Sequence, residues 1–190
     1  GQSYIIYGTD ANGMITMMGS ASSDTLTSDN SQAQIIVGGD GADTITGGNS
    51  YNDIIYAGAG NDTIIYDSND VLKVDGGSGF DTLTLDFADS LNLTTLNTTA
   101  YYNLLTGFEA ITLQGDSGVT LTAIDLLHLS DTSNTLTVTG TASDSVSING
   151  SGWLLTSLGN GTHHWSNGQA TINIDVDIRD VFVDGFYYRV

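Results

Sequence analysis

The chain has 190 residues with 39% hydrophobic content, enough for one domain or two small ones around a buried core. Its 22 acidic residues, all Asp except Glu109, face only Lys73, Arg179 and Arg189, and the net charge of −19 repels phosphate, which argues against nucleic acid and an anionic membrane surface as partners. With no cysteine there is no disulfide, thiolate nucleophile or Cys-ligated metal, and no apolar run approaches the roughly 18 residues that suggest a membrane-inserted helix.

Residues 1–18 contain the apolar runs YIIYG and GMITMMG, and Met17 precedes Ile36 by 19 residues, so this stretch reads as a degenerate first turn of a repeat. Gly1 to Ser20 lacks the basic start of a cleavable signal peptide, so any export address is expected elsewhere. From Gly19 to Thr84 the repeat is explicit: Asp24, Asp43, Asp62 and Asp81 stand 19 residues apart, and Leu26, Ile45, Ile64 and Leu83 follow two places on. A second hydrophobic series, Ile36, Ile55 and Val74, keeps the same period half a turn away, so each unit splits into a nine-residue and a ten-residue half.

The nine-residue halves read GSASSDTLT from Gly19, GGDGADTIT from Gly38, AGAGNDTII from Ala57 and GGSGFDTLT from Gly76. Glycines permit a tight loop with positive φ, the three residues after the Asp suit a short strand, and the central hydrophobe is a core position. Stacked strands lie about 4.8 Å apart, so the four carboxylates form a column at roughly that spacing. Two neighbouring charges then repel by about 1 kcal/mol in water and about 3 kcal/mol at an effective dielectric of 20. A hard divalent cation between them reverses the sign, and carboxylate with carbonyl oxygen is the donor set that calcium takes.

On these motifs, residues 19 to 84 resemble the RTX family of calcium-binding β-rolls. The resemblance implies an all-β, right-handed parallel β-roll with 19-residue turns of 9+10, and Ca2+ held between successive turns by loop carbonyls and by the Asp of both turns. Carried over, the first site takes Ser20, Ser22 and Asp24 with Gly38, Asp40 and Asp43. The second takes Gly39, Gly41 and Asp43 with Ala57, Ala59 and Asp62, and the third Gly58, Gly60 and Asp62 with Gly76, Ser78 and Asp81. About three ions are thus expected on one flank, with Asp43 and Asp62 shared by two sites each. The first loop departs from the pattern, with serines where glycines belong.

The ten-residue halves, SDNSQAQIIV from Ser28, GGNSYNDIIY from Gly47 and YDSNDVLKVD from Tyr66, carry Gln34, Asp53 and Leu72 at the Asp position. The opposite flank is therefore expected to be poor in ions, with Asp53, Asp67 and Asp70 making at most a weak site.

After Thr84 the repeat stops while alternating apolar residues continue in TLTLDF, VTLTA, NTLTVTG, SVSING and ATINIDVDI. The domain boundary is placed there, with a roll over 1–84 and a β-rich cap with C-terminal secretion region over 85–190. In YYNLL and GFEAITL, Phe108 and Ile111 are expected to plug the open end of the roll. One short helix is predicted over Ala123 to Leu129, with Thr122 as N-cap and Asp125 completing a capping box. His128 is expected to pack partly buried on that helix. His163 and His164 would face opposite ways on a strand and so not clasp one metal, and with Trp165 they are expected to form a surface patch. For Trp153, Trp165, Tyr187 and Tyr188, sugar stacking and core packing both remain open.

Residues 80 to 178 also resemble the cap after the calcium repeats of large exported bacterial adhesins, through FDTLTLD, GFEAITL, LLHLSDTSNTLTV and GQATINIDVDI. That resemblance implies a secreted or cell-surface protein whose final DVFVDGFYYRV is either the uncleaved signal read by the type I secretion machinery or a last strand. With no G-x-S-x-G elbow and no H-E-x-x-H, the chain is not expected to be an enzyme. The reading is a monomeric, calcium-dependent folding and secretion module of an adhesin. The alternatives are the C-terminal module of a secreted hydrolase, or a roll binding a cell-surface saccharide or ice. Ice binding is the less favoured of these because the third loop position holds Ala21, Asp40, Ala59 and Ser78, not a threonine row.

Overall fold

The computed structural model describes residues 15–29, 32–47, 53–66, 73–86, 90–96, 104–130, 132–159 and 161–189, and these are mostly β-strand with two short helices. The chain divides into two compact units, Gly1–Leu83 with Leu104–Phe108, and Thr84–Asn103 with Glu109–Val190.

In unit one the strands alternate between two sheets as the chain advances. They are β1 (Met17–Met18), β2 (Thr25–Thr27), β3 (Ile35–Asp40), β4 (Thr44–Thr46), β5 (Ile54–Ala59), β6 (Thr63–Tyr66), β7 (Lys73–Ser78) and β8 (Thr82–Leu85). Odd-numbered strands stack in parallel with Met17, Ile36, Ile55 and Val74 in one register row, and even-numbered strands stack with Leu26, Ile45 and Ile64 in another. All of these hydrophobes are buried, as is Leu83. The cause is local: each strand alternates one core residue with outward residues, and a parallel neighbour one turn away holds the same residue class on the same face. The outward positions of the even strands include the row Thr25, Thr44 and Thr63, β-branched residues suited to a pleated, half-exposed surface.

One further parallel strand, β10 (Leu105–Thr106), pairs with β7, setting Leu105 opposite Val74 although the chain between them is longer than the regular step of the repeat. Phe108 is fully buried in unit one, whereas Ile111 belongs to unit two. Of the degenerate first turn, Met17 takes its place opposite Ile36, and the YIIYG run lies outside the described residues.

Unit two continues the parallel habit with longer turns. Its strands are β9 (Ser90–Asn92), β11 (Ala110–Leu113), β12 (Gly118–Thr122), β13 (Thr135–Thr139), β14 (Ser145–Asn149), β15 (Leu154–Gly159), β16 (Thr162–Ser166), β17 (Thr171–Asp175), β18 (Asp180–Val183) and β19 (Phe186–Arg189). Strands β11, β13 and β17 stack in parallel, as do β9, β12, β14 and β18. Along the first of these rows the chain takes one step from Thr112 to Thr139 and a longer one from Leu136 to Ile172, so no fixed period marks it. The added residues form helix α2 (Ala123–Leu129) between β12 and β13, and the antiparallel pair β15–β16 between β14 and β17. Antiparallel pairing also joins β16 to β17 and β18 to β19, so the sheets are mixed where the sequence suggested a parallel roll followed by a cap. The tail DVFVDGFYYRV makes the β18–β19 hairpin, turning on Asp184 and Gly185 at φ 51° and 78° as a two-residue turn with both central φ positive requires.

Helix α2 forms with the expected box: Asp125 N–H donates to Thr122 Oγ1 at 3.3 Å, and Thr122 N–H donates to Asp125 Oδ2 at 2.8 Å. A second helix, the single turn α1 (Leu93–Leu96), corrects the expectation of one; Thr94 of α1 donates its hydroxyl to Asp125 at 3.1 Å, a long-range bond with no local sequence signal. His128 is exposed, where partial burial was expected, because it falls on the solvent side of α2. The surface patch around His163 and Trp165 is likewise corrected: both are buried, since alternation along β16 turns them inward and leaves His164 outward, bonded to Asn173 and Thr162. Trp153 is also buried, while Tyr187 and Tyr188 are exposed and the Tyr188 ring meets Trp165 edge-on at 5.0 Å.

The core of unit two rests on inward β-branched rows such as Ile172 and Ile174, both fully buried. Ile174→Ala should cost about 2–5 kcal/mol by the lost burial and the cavity left behind, whereas Thr137→Ala on the outward face should change stability by about 0.5 kcal/mol or less. Urea unfolding of the two variants measures the difference, and equal losses would contradict the assigned faces.

Candidate metal centre

Four aspartates are drawn into the interior of unit one by their neighbours. In each turn the Asp precedes a strand residue whose side chain is core, so Asp24, Asp43, Asp62 and Asp81 come in beneath the loops and are all nearly or fully buried. Their carboxylates are tied from turn to turn: Asp24 N–H donates to Asp43 Oδ1 at 2.8 Å, Asp43 N–H to Asp62 Oδ1 at 2.7 Å, and Asp62 N–H to Asp81 Oδ1 at 2.8 Å. Each Oδ1 of the last three is thus engaged by the backbone of the preceding turn.

The second oxygens differ. Asp43 Oδ2 and Asp62 Oδ2 are buried and accept no hydrogen bond. Burial is the largest influence on both groups and raises their pKa above the ordinary carboxylate value; the backbone N–H bond lowers it in part, and the charge of the preceding Asp raises it again. A buried carboxylate oxygen without a donor is a strong demand for a cation.

The loops supply oxygen around these carboxylates because their backbones approach closely. Gly58 and Gly60 have φ of 115° and 133°, and a Cβ at either would strike the carbonyl oxygen of Gly39 or Gly41 in the preceding turn. A Cβ at Gly38 would strike both Asp43 Oδ2 and the carbonyl oxygen of Ala57, so those two oxygens converge beside one Cα. By register Gly39 aligns with Gly58 and Gly77, and Asp40 with Ala59 and Ser78, which brings the expected loop residues of successive turns together. The carbonyls of Ser20, Ala59 and Ser78 each accept one N–H, from Asp40, Gly41 and Gly60, which leaves each a second lone pair. Among the described residues no three His, Cys, Asp or Glu side chains converge, so carboxylates alone do not make up a calcium shell here. Paired carboxylates with carbonyl oxygens fit calcium, a hard cation that accepts six to eight such donors.

Sequence reasoning missed Gly107. Its carbonyl oxygen lies against Gly76 as that of Ala57 lies against Gly38, because β10 puts Gly107 in register with Gly76 across the excursion that breaks the regular spacing. Gly77 and Gly79, which the repeat pattern does not place among the expected ligands, have positive φ of 92° and 145° like the equivalent glycines before them. On the other flank Asp53 is fully buried and its Oδ1 accepts the Gln34 N–H at 2.7 Å, while Asp67 and Asp70 lie outside the described residues.

Comparison with known families agrees with this geometry over part of the chain. Residues 28–64 and 37–72 match the family model described as the RTX calcium-binding nonapeptide repeat, 4 copies. No curated protein and no solved structure matches the chain. The chain is similar to the RTX family over these repeats, and that similarity supports calcium-binding repeats in an all-β unit.

Proposed function

We propose that unit one is a calcium-folded parallel β-roll of alternating nine- and ten-residue half-turns, acting as a non-catalytic extracellular folding module of an exported protein. The observation that carries this reading is the pair of buried, undonated oxygens on Asp43 and Asp62, that of Asp43 beside the Ala57 carbonyl, within a stretch similar to RTX repeats. Without the ion, stacked carboxylates repel and bury charge at a cost; with it, the same atoms become ligands. Calcium at 100 times its dissociation constant adds about 2.7 kcal/mol per site, so a few sites weigh as much as a domain's whole stability of about 5–15 kcal/mol. The ion would therefore decide whether the roll folds. A calcium-poor cytosol would keep the chain unfolded for passage through a type I exporter, and external calcium would fold it on arrival. The cap-like motifs of unit two favour a secreted or surface adhesin as the parent protein. Among the described residues no helix is long and apolar enough to cross a membrane.

Circular dichroism and hydrogen exchange in chelator should show unit one losing its β signal and protection, with recovery at millimolar calcium. The midpoint is expected at about 10⁻⁴–10⁻³ M, the range of extracellular calcium modules. Full protection of unit one in chelator would refute the reading.

A pH dependence follows from the raised carboxylates. Between the unfolded pKa of 3.8 and the raised folded values, the folded ion-free chain holds more protons than the unfolded one, so its stability falls as pH rises through that window. In chelator unit one should keep more of its β signal near pH 4 than at pH 7. Saturating calcium should reverse the trend, because protons then compete with the ion for Asp43 and Asp62. A β signal in chelator that grows from pH 4 to 7 would contradict this assignment.

A further inference from the structure

The first turn solves its buried carboxylate differently from the turns that follow. Asp24 Oδ2 accepts the Ser20 backbone N–H at 2.6 Å and the Ser20 hydroxyl at 2.8 Å. Its neighbours Asp43 and Asp62 have glycine at the equivalent loop position, Gly39 and Gly58, and their Oδ2 atoms accept nothing. The loop backbone differs as well: Gly39, Gly41, Gly58 and Gly60 are all at positive φ, whereas Ser20 and Ser22 are not, and although the Ser20 carbonyl lies against Gly39 as that of Gly39 lies against Gly58, Gly41 meets the Ser22–Ser23 peptide where Gly60 meets a carbonyl oxygen.

Two donors on one carboxylate oxygen recur in unit two, at acids that belong to no repeat. Asp144 Oδ2 accepts the Thr141 N–H at 2.7 Å and its hydroxyl at 2.9 Å, while Oδ1 accepts the Ser117 N–H at 2.8 Å from the preceding turn. Asp125 Oδ2 accepts the N–H and the hydroxyl of Thr122, both at 2.8 Å. At Asp24, Asp125 and Asp144 a hydroxyl residue three or four positions earlier clamps one carboxylate oxygen with both donors. A carboxylate oxygen so clamped has its charge met by hydrogen bonds, and an ion there would have to displace them.

Resting on the calcium reading above, we propose that Ser20 replaces the ion at Asp24, so that the calcium column begins at Asp43 and the Asp24 turn holds no ion. The site that the family pattern would place between Asp24 and Gly38 is closed by the chain's own side chain.

Calcium stoichiometry, by titration calorimetry and native mass spectrometry of the whole chain, tests this. Asp24→Asn should bind as many ions as the unaltered protein, whereas Asp62→Asn should lose at least one. Ser20→Gly, which removes no carboxylate and restores the glycine of the other turns, should gain one ion, and adding Asp24→Asn to it should remove that ion again. Loss of an ion on Asp24→Asn alone, or no gain on Ser20→Gly, overturns the inference and leaves the calcium reading standing. Absence of any calcium binding in the unaltered protein overturns both.

Discussion

A buried carboxylate oxygen with no donor is the constraint on which unit one depends. The column Asp43–Asp62 is held in place by backbone N–H groups that reach only one oxygen of each side chain. The basic residues are too few to serve: Lys73 pairs with Asp75 at 3.1 Å, and Arg179 and Arg189 belong to unit two. What remains is oxygen facing oxygen at about the spacing of stacked strands, repulsive by about 3 kcal/mol per neighbouring pair at an effective dielectric of 20. The glycines follow from the same constraint. Loop carbonyls come close to a shared point only where successive turns touch backbone to backbone, and a Cβ at Gly58 or Gly60 would occupy the space of the carbonyl it faces.

Unit two buries acids as well, yet meets them with its own donors. Glu109 accepts the hydroxyls of Ser130 at 3.2 Å and Thr132 at 2.8 Å, and Asp125 and Asp144 are each clamped by a threonine. The abundance of Ser and Thr among so many aspartates has this use. Hydroxyl and amide donors are permanent features of the chain, whereas an ion depends on its concentration outside. Unit two thus meets its buried acids with donors of its own, whereas the proposed reading has unit one meet Asp43 and Asp62 with an ion from its surroundings.

Much of unit one is legible in the order of its residues. The repeat of Asp and core hydrophobe determines both the register and the inward face, because a strand side chain has a period of two and a parallel stack puts like residue over like. The capping box at Thr122 and Asp125 is equally legible, being local by nature. Once the hydroxyl clamp is known, even Ser20 can be picked out as a serine among glycines. The donor chemistry of the column, carboxylate with carbonyl, is likewise contained in the motif.

The tertiary structure decided what local pattern cannot carry. The rows of unit two have no fixed period because helix α2 and the β15–β16 pair are inserted between strands, and pairing there is chosen by core shape. Gly107 joins the loops of unit one only because β10 returns to β7 after a long excursion of the chain. His163 and Trp165 point inward because β16 pairs antiparallel with β17, setting Trp165 opposite buried Ile172, and a sequence of alternating residues does not say which alternate faces the core. Which carboxylate oxygen is already satisfied is also a three-dimensional fact, since it depends on donors from the turn before and from the loop above, and hydrogen bonds form only within about 3 Å.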